Sequence, residues 1–215
     1  MASIINASTT STSGLVQTAD ASGVLQLQSN GVTGLTVEAN ASITVSGNLT
    51  TARGAVTSLV TETAKNSTTG TSVDFTGIPS WAKRVTLMLN GVSTNGTSIM
   101  QVQLGAGTIQ NTGYEAEATG FQGAALLVSG VYTSGFPLGG DNRAADLLSG
   151  TMVFTSFGSN IWIGSCAGGA NNGGTGRTFH GGGRVTLTGT LDRIRLTTTN
   201  GTDTFDTGSV NIMYE

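Results

Sequence analysis

Three short segments near the start of the chain alternate apolar and polar residues. In the first, Leu25 and Leu27 alternate with glutamines, and the other two segments are centred on Thr36 and Thr44. Alternation with a period of two is typical of a β-strand with one apolar face. Turn-forming residues separate the segments, so the pattern predicts a three-stranded β-meander within residues 14–50.

The predicted meander is too small to be stable by itself, because three short strands bury too little apolar surface to offset the entropy of ordering them. We therefore expect its apolar positions to pack against other copies of the chain or against a surface on which the chain docks. These anchoring and trimer-interface candidates are Leu25, Leu27, Leu35, Val37, Ile43 and Val45. Residues 1–13 are rich in Ser, Thr and Ala without any period, which predicts an extended arm.

The apolar segments become longer after residue 53. Roughly eight to ten of them follow one another between Gly54 and Glu215 at regular spacing, without a helical period. This spacing predicts an all-β chain that ends in an antiparallel, jelly-roll-like β-sandwich. We therefore expect residues 1–53 to form an anchoring and trimerisation segment and residues 54–215 to form a C-terminal head domain. One stretch, residues 168–183, is so rich in Gly and Asn that it predicts a flexible loop.

The composition favours a neutral surface rich in hydroxyl groups. Only 10% of the residues are charged, against about 25% in an average globular protein. The chain contains 33 glycines and a single cysteine, so no disulfide can form within it. Low charge with abundant Thr and Gly is typical of exported surface proteins and of virion proteins.

The charge pattern and hydropathy exclude two classes of partner. The net charge is −3, and the basic residues are too scattered to follow a phosphate backbone, so we expect no nucleic acid partner. Arg184, Arg193 and Arg195 are expected on the solvated face of two strands. The N-terminus lacks the pattern of a signal peptide, and no run reaches the roughly 20 apolar residues of a membrane span. We therefore expect the protein to be made in a cytoplasm and to stay there or leave within a particle.

Several residues are candidates for catalysis or metal binding. His180 is the only histidine, and one His with one Cys cannot complete a structural zinc shell. The glycine-dense run 168–177 has no following Lys-Ser/Thr of a phosphate-binding loop. Asp203 and Asp206 lack the spacing of a calcium-binding loop. A hydrolase depends on the distance between two carboxylates in space, and the sequence provides no such evidence for Glu115 and Glu117. We therefore expect no catalytic residue, no metal and no cofactor, and we predict that the protein is not an enzyme.

Aromatic residues in or beside the predicted loops are the candidates for contact with a receptor. Aromatic rings provide platforms for sugars and are enriched at interfaces. Trp162 lies within a strand and is expected to pack in the core. The receptor-contact candidates are Tyr114, Phe121, Tyr132, Phe136 and Phe179.

Several stretches of the sequence carry a resemblance to a known family. At the N-terminus these are MASIINAS at residues 1–8, GVLQLQSNGVT at 23–33, LTV at 35–37 and GNLT at 47–50. They resemble the start of tailed-phage fibre and head-fibre proteins, over about the first quarter of the chain. The runs FTGIPSWAKRV at 75–85 and VNIMYE at 210–215 resemble parts of the β-sandwich head domains of similar proteins.

The resemblance implies a bacteriophage virion component that is made in the host cytoplasm. Such proteins are usually homotrimers attached through the N-terminus to a capsid or tail protein of the same virion. The chain has no long shaft, which favours a compact head fibre or a short tail fibre. Its head domain would decorate the particle or contact a glycan or protein of the host surface.

Two other functions remain open at this point. A non-catalytic carbohydrate-binding module of an adhesin or secreted enzyme predicts a monomer with affinity for glycans. A depolymerase predicts the release of reducing ends from a host polysaccharide. The resemblance favours the virion fibre over both.

Overall fold

The structure is a computed structural model, and the chain divides into two compact units, Met1–Thr57 and Ser58–Glu215. The predicted extended arm, residues 1–13, lies outside the described residues. The structure describes residues 22, 24–29, 31–40, 42–45, 50–51, 54–55, 59–123, 125–128, 130–144 and 146–215.

The described residues form antiparallel β-strands and no helix, which confirms the all-β prediction. Accordingly, they contain no helix long and apolar enough to cross a membrane. The strands of the first unit are β1 Leu25–Ser29, β2 Val32–Val37, β3 Ile43–Val45, β4 Thr50–Thr51 and β5 Gly54–Ala55. Those of the second unit are β6 Val60–Thr61, β7 Lys65–Asn66, β8 Ser72–Thr76, β9 Arg84–Thr94, β10 Met100–Ala106, β11 Thr108–Ile109, β12 Tyr114–Gln122, β13 Ala125–Val128, β14 Phe136–Pro137, β15 Leu147–Gly158, β16 Ile161–Asn172, β17 Thr175–Thr186, β18 Arg193–Thr198 and β19 Phe205–Tyr214.

The first unit contains a three-stranded antiparallel meander in the order β1-β2-β3. The three segments that the sequence predicts as strands are these three strands. Gly31 occupies the turn between the first two with a φ of 75°, a left-handed conformation that glycine adopts without strain. A separate two-stranded pair joins β4 to β5.

The second unit is a sandwich of two sheets. The large sheet has the order β13-β12-β17-β16-β15-β9-β19-β6, with β7 paired to β19. The small sheet has the order β11-β10-β18-β8, with β14 paired to β10. Side chains from the inner faces of both sheets form one hydrophobic core, in which Val102 and Leu196 of the small sheet join Leu87, Phe154 and Ile212 of the large sheet.

The sequence-based prediction of a loop at residues 168–183 is wrong. Twelve-residue strands β16 and β17 pair along their whole length, from Ile161 opposite Thr186 to Asn172 opposite Thr175, and they occupy the middle of the large sheet. Most of the glycines within these strands lie against other groups: a Cβ on Gly183 would meet the backbone of Ala116. Glycine is therefore present here because of close approach, as is common for glycine inside strands.

Different segments of the chain lie at the two ends of the sandwich. At one end Val60 pairs with Tyr214, so the chain enters the second unit beside its own C-terminal strand. We call this the entry end. At the other, the far end, Asn142 donates from Nδ2 to the carbonyl of Ser98 at 2.9 Å, and Asn95 donates from its backbone N to the carbonyl of Thr204 at 3.0 Å.

Candidate functional site

The six predicted anchoring residues lie on one face of the meander. Leu27, Leu35 and Val45 are direct cross-strand partners and form one row. A second row consists of Leu25, Val37 and Ile43. Because directly paired residues of an antiparallel sheet share a face, all six side chains project to the same side. We call this surface the meander face.

The meander face is apolar and uncharged, and much of it is exposed. The exposed fractions of Leu25, Leu27 and Ile43 are 41%, 44% and 66%. Leu35, Val37 and Val45 are half-buried. The remaining polar positions follow the alternation, since Gln26 is paired with Thr36, and Thr36 with Thr44. A contiguous apolar surface of this kind is typical of an interaction site.

Three of the five receptor-contact candidates are wrong, because their rings lie in the core. Tyr114, Phe136 and Phe179 belong to strands and are 1%, 0% and 4% exposed. Tyr114 and Phe136 pack edge to face with their ring centroids 5.2 Å apart. The Tyr114 hydroxyl donates to the carbonyl of Gln110 and accepts from the backbone N of Leu104, both at 2.8 Å. Burial raises the pKa of Tyr114 far above its ordinary value.

The other two candidates lie at or near the surface. Phe121 near the end of β12 is 45% exposed, whereas Tyr132 is half-buried and its backbone forms a bridge with Ala116. Sequence reasoning missed Phe157, whose ring is 73% exposed. The alternation of β15 could have found it, because Phe157 has the parity of the outward-facing Thr155 and not that of the buried Phe154.

His180 and Cys166 lie on neighbouring strands but on opposite faces of the large sheet. His180 is exposed on β17, whereas Cys166 of β16 is buried in the core and pairs with Gly181. Burial raises the pKa of the Cys166 thiol to about 12. A thiol that stays protonated and faces away from the histidine cannot serve as a nucleophile activated by it.

The acidic candidates take part in structural contacts. The Glu115 carboxylate accepts two hydrogen bonds from Arg184, both at 3.0 Å, on the outer surface of the large sheet. Asp203 accepts hydrogen bonds from the backbone N of Ser98 at 2.9 Å and from Nδ2 of Asn200 at 2.7 Å, which braces a turn at the far end. Within the described part of the chain, no three His, Cys, Asp or Glu residues lie close enough to hold a metal ion.

A buried ion-pair cluster at the far end escaped sequence reasoning. The Arg177 side chain of β17 is 4% exposed and contacts Asp146, which is 1% exposed. Nη1 of Arg177 also donates to Asp141 at 2.8 Å, and Arg143 donates to Gln122 at 2.6 Å. Because ions need partners when buried, the cluster fixes the loop between β14 and β15 against the large sheet. Asp141 and Arg177 are 36 residues apart in sequence, so no local signal indicates the cluster.

Comparison of the chain with known proteins gives no match to a family model, to a curated protein or to a solved structure.

Proposed function

We propose that this protein is a non-enzymatic component of a bacteriophage virion. In this proposal it is a homotrimeric fibre whose first unit anchors it to a capsid or tail protein, and whose second unit contacts the host surface. The observation that carries the proposal is the meander face, a continuous uncharged surface of six apolar side chains on a very small sheet. The resemblance of the N-terminal sequence to phage fibre proteins is the basis for proposing a virion component and a trimer.

The energetics favour a covered meander face. Burying a half-exposed leucine or isoleucine stabilises by about 1 kcal/mol, and three copies contribute several such side chains each. No charged residue lies among the six, so identical faces can meet without repulsion between like charges. An assembly therefore supplies the apolar contacts that three short strands lack by themselves.

The division of the chain also supports an anchor and a head. The described residues of the core lie between Val73 and Tyr214, with Val60 packed against them, and all of these belong to the second unit. The head can therefore be stable while the anchor is held by partners. This is the arrangement that a particle-bound adhesive or decorating protein requires.

The trimer is tested with two neighbouring substitutions on β1. Leu27→Lys places a charge on the meander face, whereas Gln26→Lys places the same charge on the opposite face. We expect sedimentation equilibrium to give a trimer for the wild type and for Gln26→Lys, and smaller species for Leu27→Lys. A wild-type monomer, or equal behaviour of the two variants, contradicts the proposal.

The anchor is tested by deleting residues 1–50 in a phage that carries this gene. We expect the shortened protein to be soluble and folded but missing from purified virions. Its normal incorporation into virions would refute an anchoring role for the first unit. Circular dichroism of the shortened protein serves as the folding control.

A further inference from the structure

The outer face of the small sheet carries an ordered set of polar side chains. Gln103 of β10 pairs with Arg195 of β18, which pairs in turn with Asp74 of β8. One row closer to the far end, Gln101 pairs with Thr197. The residues between them along β10 and β18, including Val102 and Leu196, belong to the core, so these polar side chains point away from it.

The two glutamines are held rigidly although they face outward. Gln101 and Gln103 are only 2% and 7% exposed. Ser134 lies over them: its Oγ donates to Oε1 of Gln101 at 3.0 Å, and its carbonyl accepts from Nε2 of Gln103 at 2.9 Å. Oε1 of Gln103 accepts no hydrogen bond from any described residue. Because Ser134 holds the amide through Nε2, Oε1 is an acceptor of fixed orientation.

These side chains line a groove of about 300 Å³. The groove extends toward the far end of the sandwich, where it reaches the turn after β18. It is lined by Thr71, Ser72, Gln101, Gln103, Asn111, Ser134, Arg195, Thr197, Thr198, Thr199, Asn200 and Gly201.

The charge of the groove is compensated within the protein. Among the described lining residues only Arg195 is charged, and it donates to both carboxylate oxygens of Asp74, at 2.7 and 2.8 Å. Its Nη1 donates to none of the described residues and remains a fixed donor. The lining residues that the structure describes include no aromatic ring, so a ligand would be recognised by hydrogen bonds. Anionic ligands gain little here, because Asp74 offsets the charge of Arg195.

We propose that this groove binds a neutral hexose unit of a polysaccharide. Sugar hydroxyl groups both donate and accept, which matches a lining of amides, hydroxyl groups and one guanidinium. Gln103 Oε1 accepts from a sugar hydroxyl, and Arg195 Nη1 and the exposed Asn111 amide donate to its oxygens. Rigid side chains lose little entropy on binding, which favours affinity. The site rests on the proposed function, for which it provides the host contact, and three copies would strengthen weak single binding.

The test uses saturation-transfer NMR on the full-length protein with separate additions of D-glucose, D-galactose, D-mannose, N-acetyl-D-glucosamine and D-glucuronic acid. We expect at least one neutral sugar to bind and glucuronic acid to bind more weakly. Asn111→Ala removes one exposed lining side chain and is expected to weaken that binding about two- to tenfold, the range for one hydrogen bond. The matched control is Asn66→Ala on β7, an exposed asparagine outside the groove, which should leave binding unchanged.

Gln103→Leu provides a second variant that removes the unpartnered acceptor, with circular dichroism to verify its fold. Binding of no neutral sugar by the wild type overturns the proposal, as does binding that Asn111→Ala and a folded Gln103→Leu both leave unchanged. Preference for glucuronic acid also overturns it. If the protein is a trimer and enters virions but binds no sugar, the sugar-binding groove is refuted and the fibre function is not. If the protein binds sugar but is a monomer that is absent from virions, the fibre function is refuted and the groove is not.

Discussion

At the scale of single residues, glycines in the centre of the large sheet make room for aromatic rings. A Cβ placed on Gly164 of β16 would lie 2.9 Å from Cε1 of Phe136 and 3.0 Å from Cε1 of Phe154. The rings of Phe136 and Phe154 are packed with their centroids 5.2 Å apart, and both side chains are fully buried. Because glycine has no side chain, the aromatic rings pack closely against the strand. This packing explains why a chain so rich in glycine nevertheless forms long strands.

Gly164→Ala is expected to destabilise the head domain by about 1–3 kcal/mol, because the added methyl group overpacks the core. The matched control is Gly176→Ala on β17, where an added Cβ meets nothing within 4 Å. That change should be neutral or slightly stabilising, since alanine restricts the unfolded chain. Urea denaturation of both variants measures the difference, and equal stabilities would contradict the packing role of Gly164.

The buried thiol of Cys166 predicts that the stability of the protein depends on pH in the alkaline range. Its pKa is raised by burial from an ordinary value of 9.0 to about 12. Above pH 9 the thiol ionises in the unfolded chain but stays protonated in the folded one, so the free energy of unfolding falls as the pH rises toward 12. Between pH 8 and pH 10 the wild type should lose roughly 1–2 kcal/mol more stability than Cys166→Ala. Parallel losses in the two proteins would contradict this assignment.

At the scale of elements, local alternation is enough to predict the meander but not the centre of the large sheet. The segments around Leu27, Leu35 and Val45 carry a period of two within a few residues, and they form strands as predicted. Residues 168–183 carry a loop-like composition, and their glycines allow close approach to groups that are distant in sequence, as at Gly181 beside Ala118. The inward position of Phe179 follows from the same pairing, and it places the ring out of reach of a receptor.

The polar groove could not be predicted for a related reason. Gln103, Ser134 and Arg195 come from three separated segments, and only the pairing of β10 with β18 brings two of them together. The alternation around Gln103 indicates a polar face, as the sequence shows. The burial of that face by Ser134 depends on tertiary contacts that leave no local pattern.

Two arginines of β17 form ion pairs that differ in burial, so we expect them to contribute differently to stability. Arg177 is buried against Asp146, whereas Arg184 pairs with Glu115 on an exposed surface. Arg177→Met leaves a buried carboxylate without its partner and should cost about 3–5 kcal/mol of stability. Arg184→Met should cost less than about 1 kcal/mol. Thermal unfolding of the two variants checks the contrast, and a mild effect of Arg177→Met would show that Asp146 is satisfied by other groups.

At the scale of the whole molecule, the second unit presents its polar groove at a distance from the point where the chain enters it. Val60 pairs with Tyr214 at the entry end, while Ser72 and residues 198–201 border the groove toward the far end. A head domain that is tethered at one end and binds at the other suits a role in surface contact. The two proposed binding surfaces, the meander face and the groove, therefore lie on different units.

This separation predicts that residues 58–215 fold without the first unit. Every core residue in the described part of the chain lies between Val73 and Tyr214, so removal of the first unit leaves all of these residues in place. The isolated segment should be monomeric and melt within a few degrees of the head transition of the full-length protein. Calorimetry and sedimentation of the segment, the full-length protein and Leu27→Lys provide the comparison. A trimeric segment would place the oligomer contacts in the head, and an unfolded one would show that the head depends on the anchor; either result contradicts two independent units.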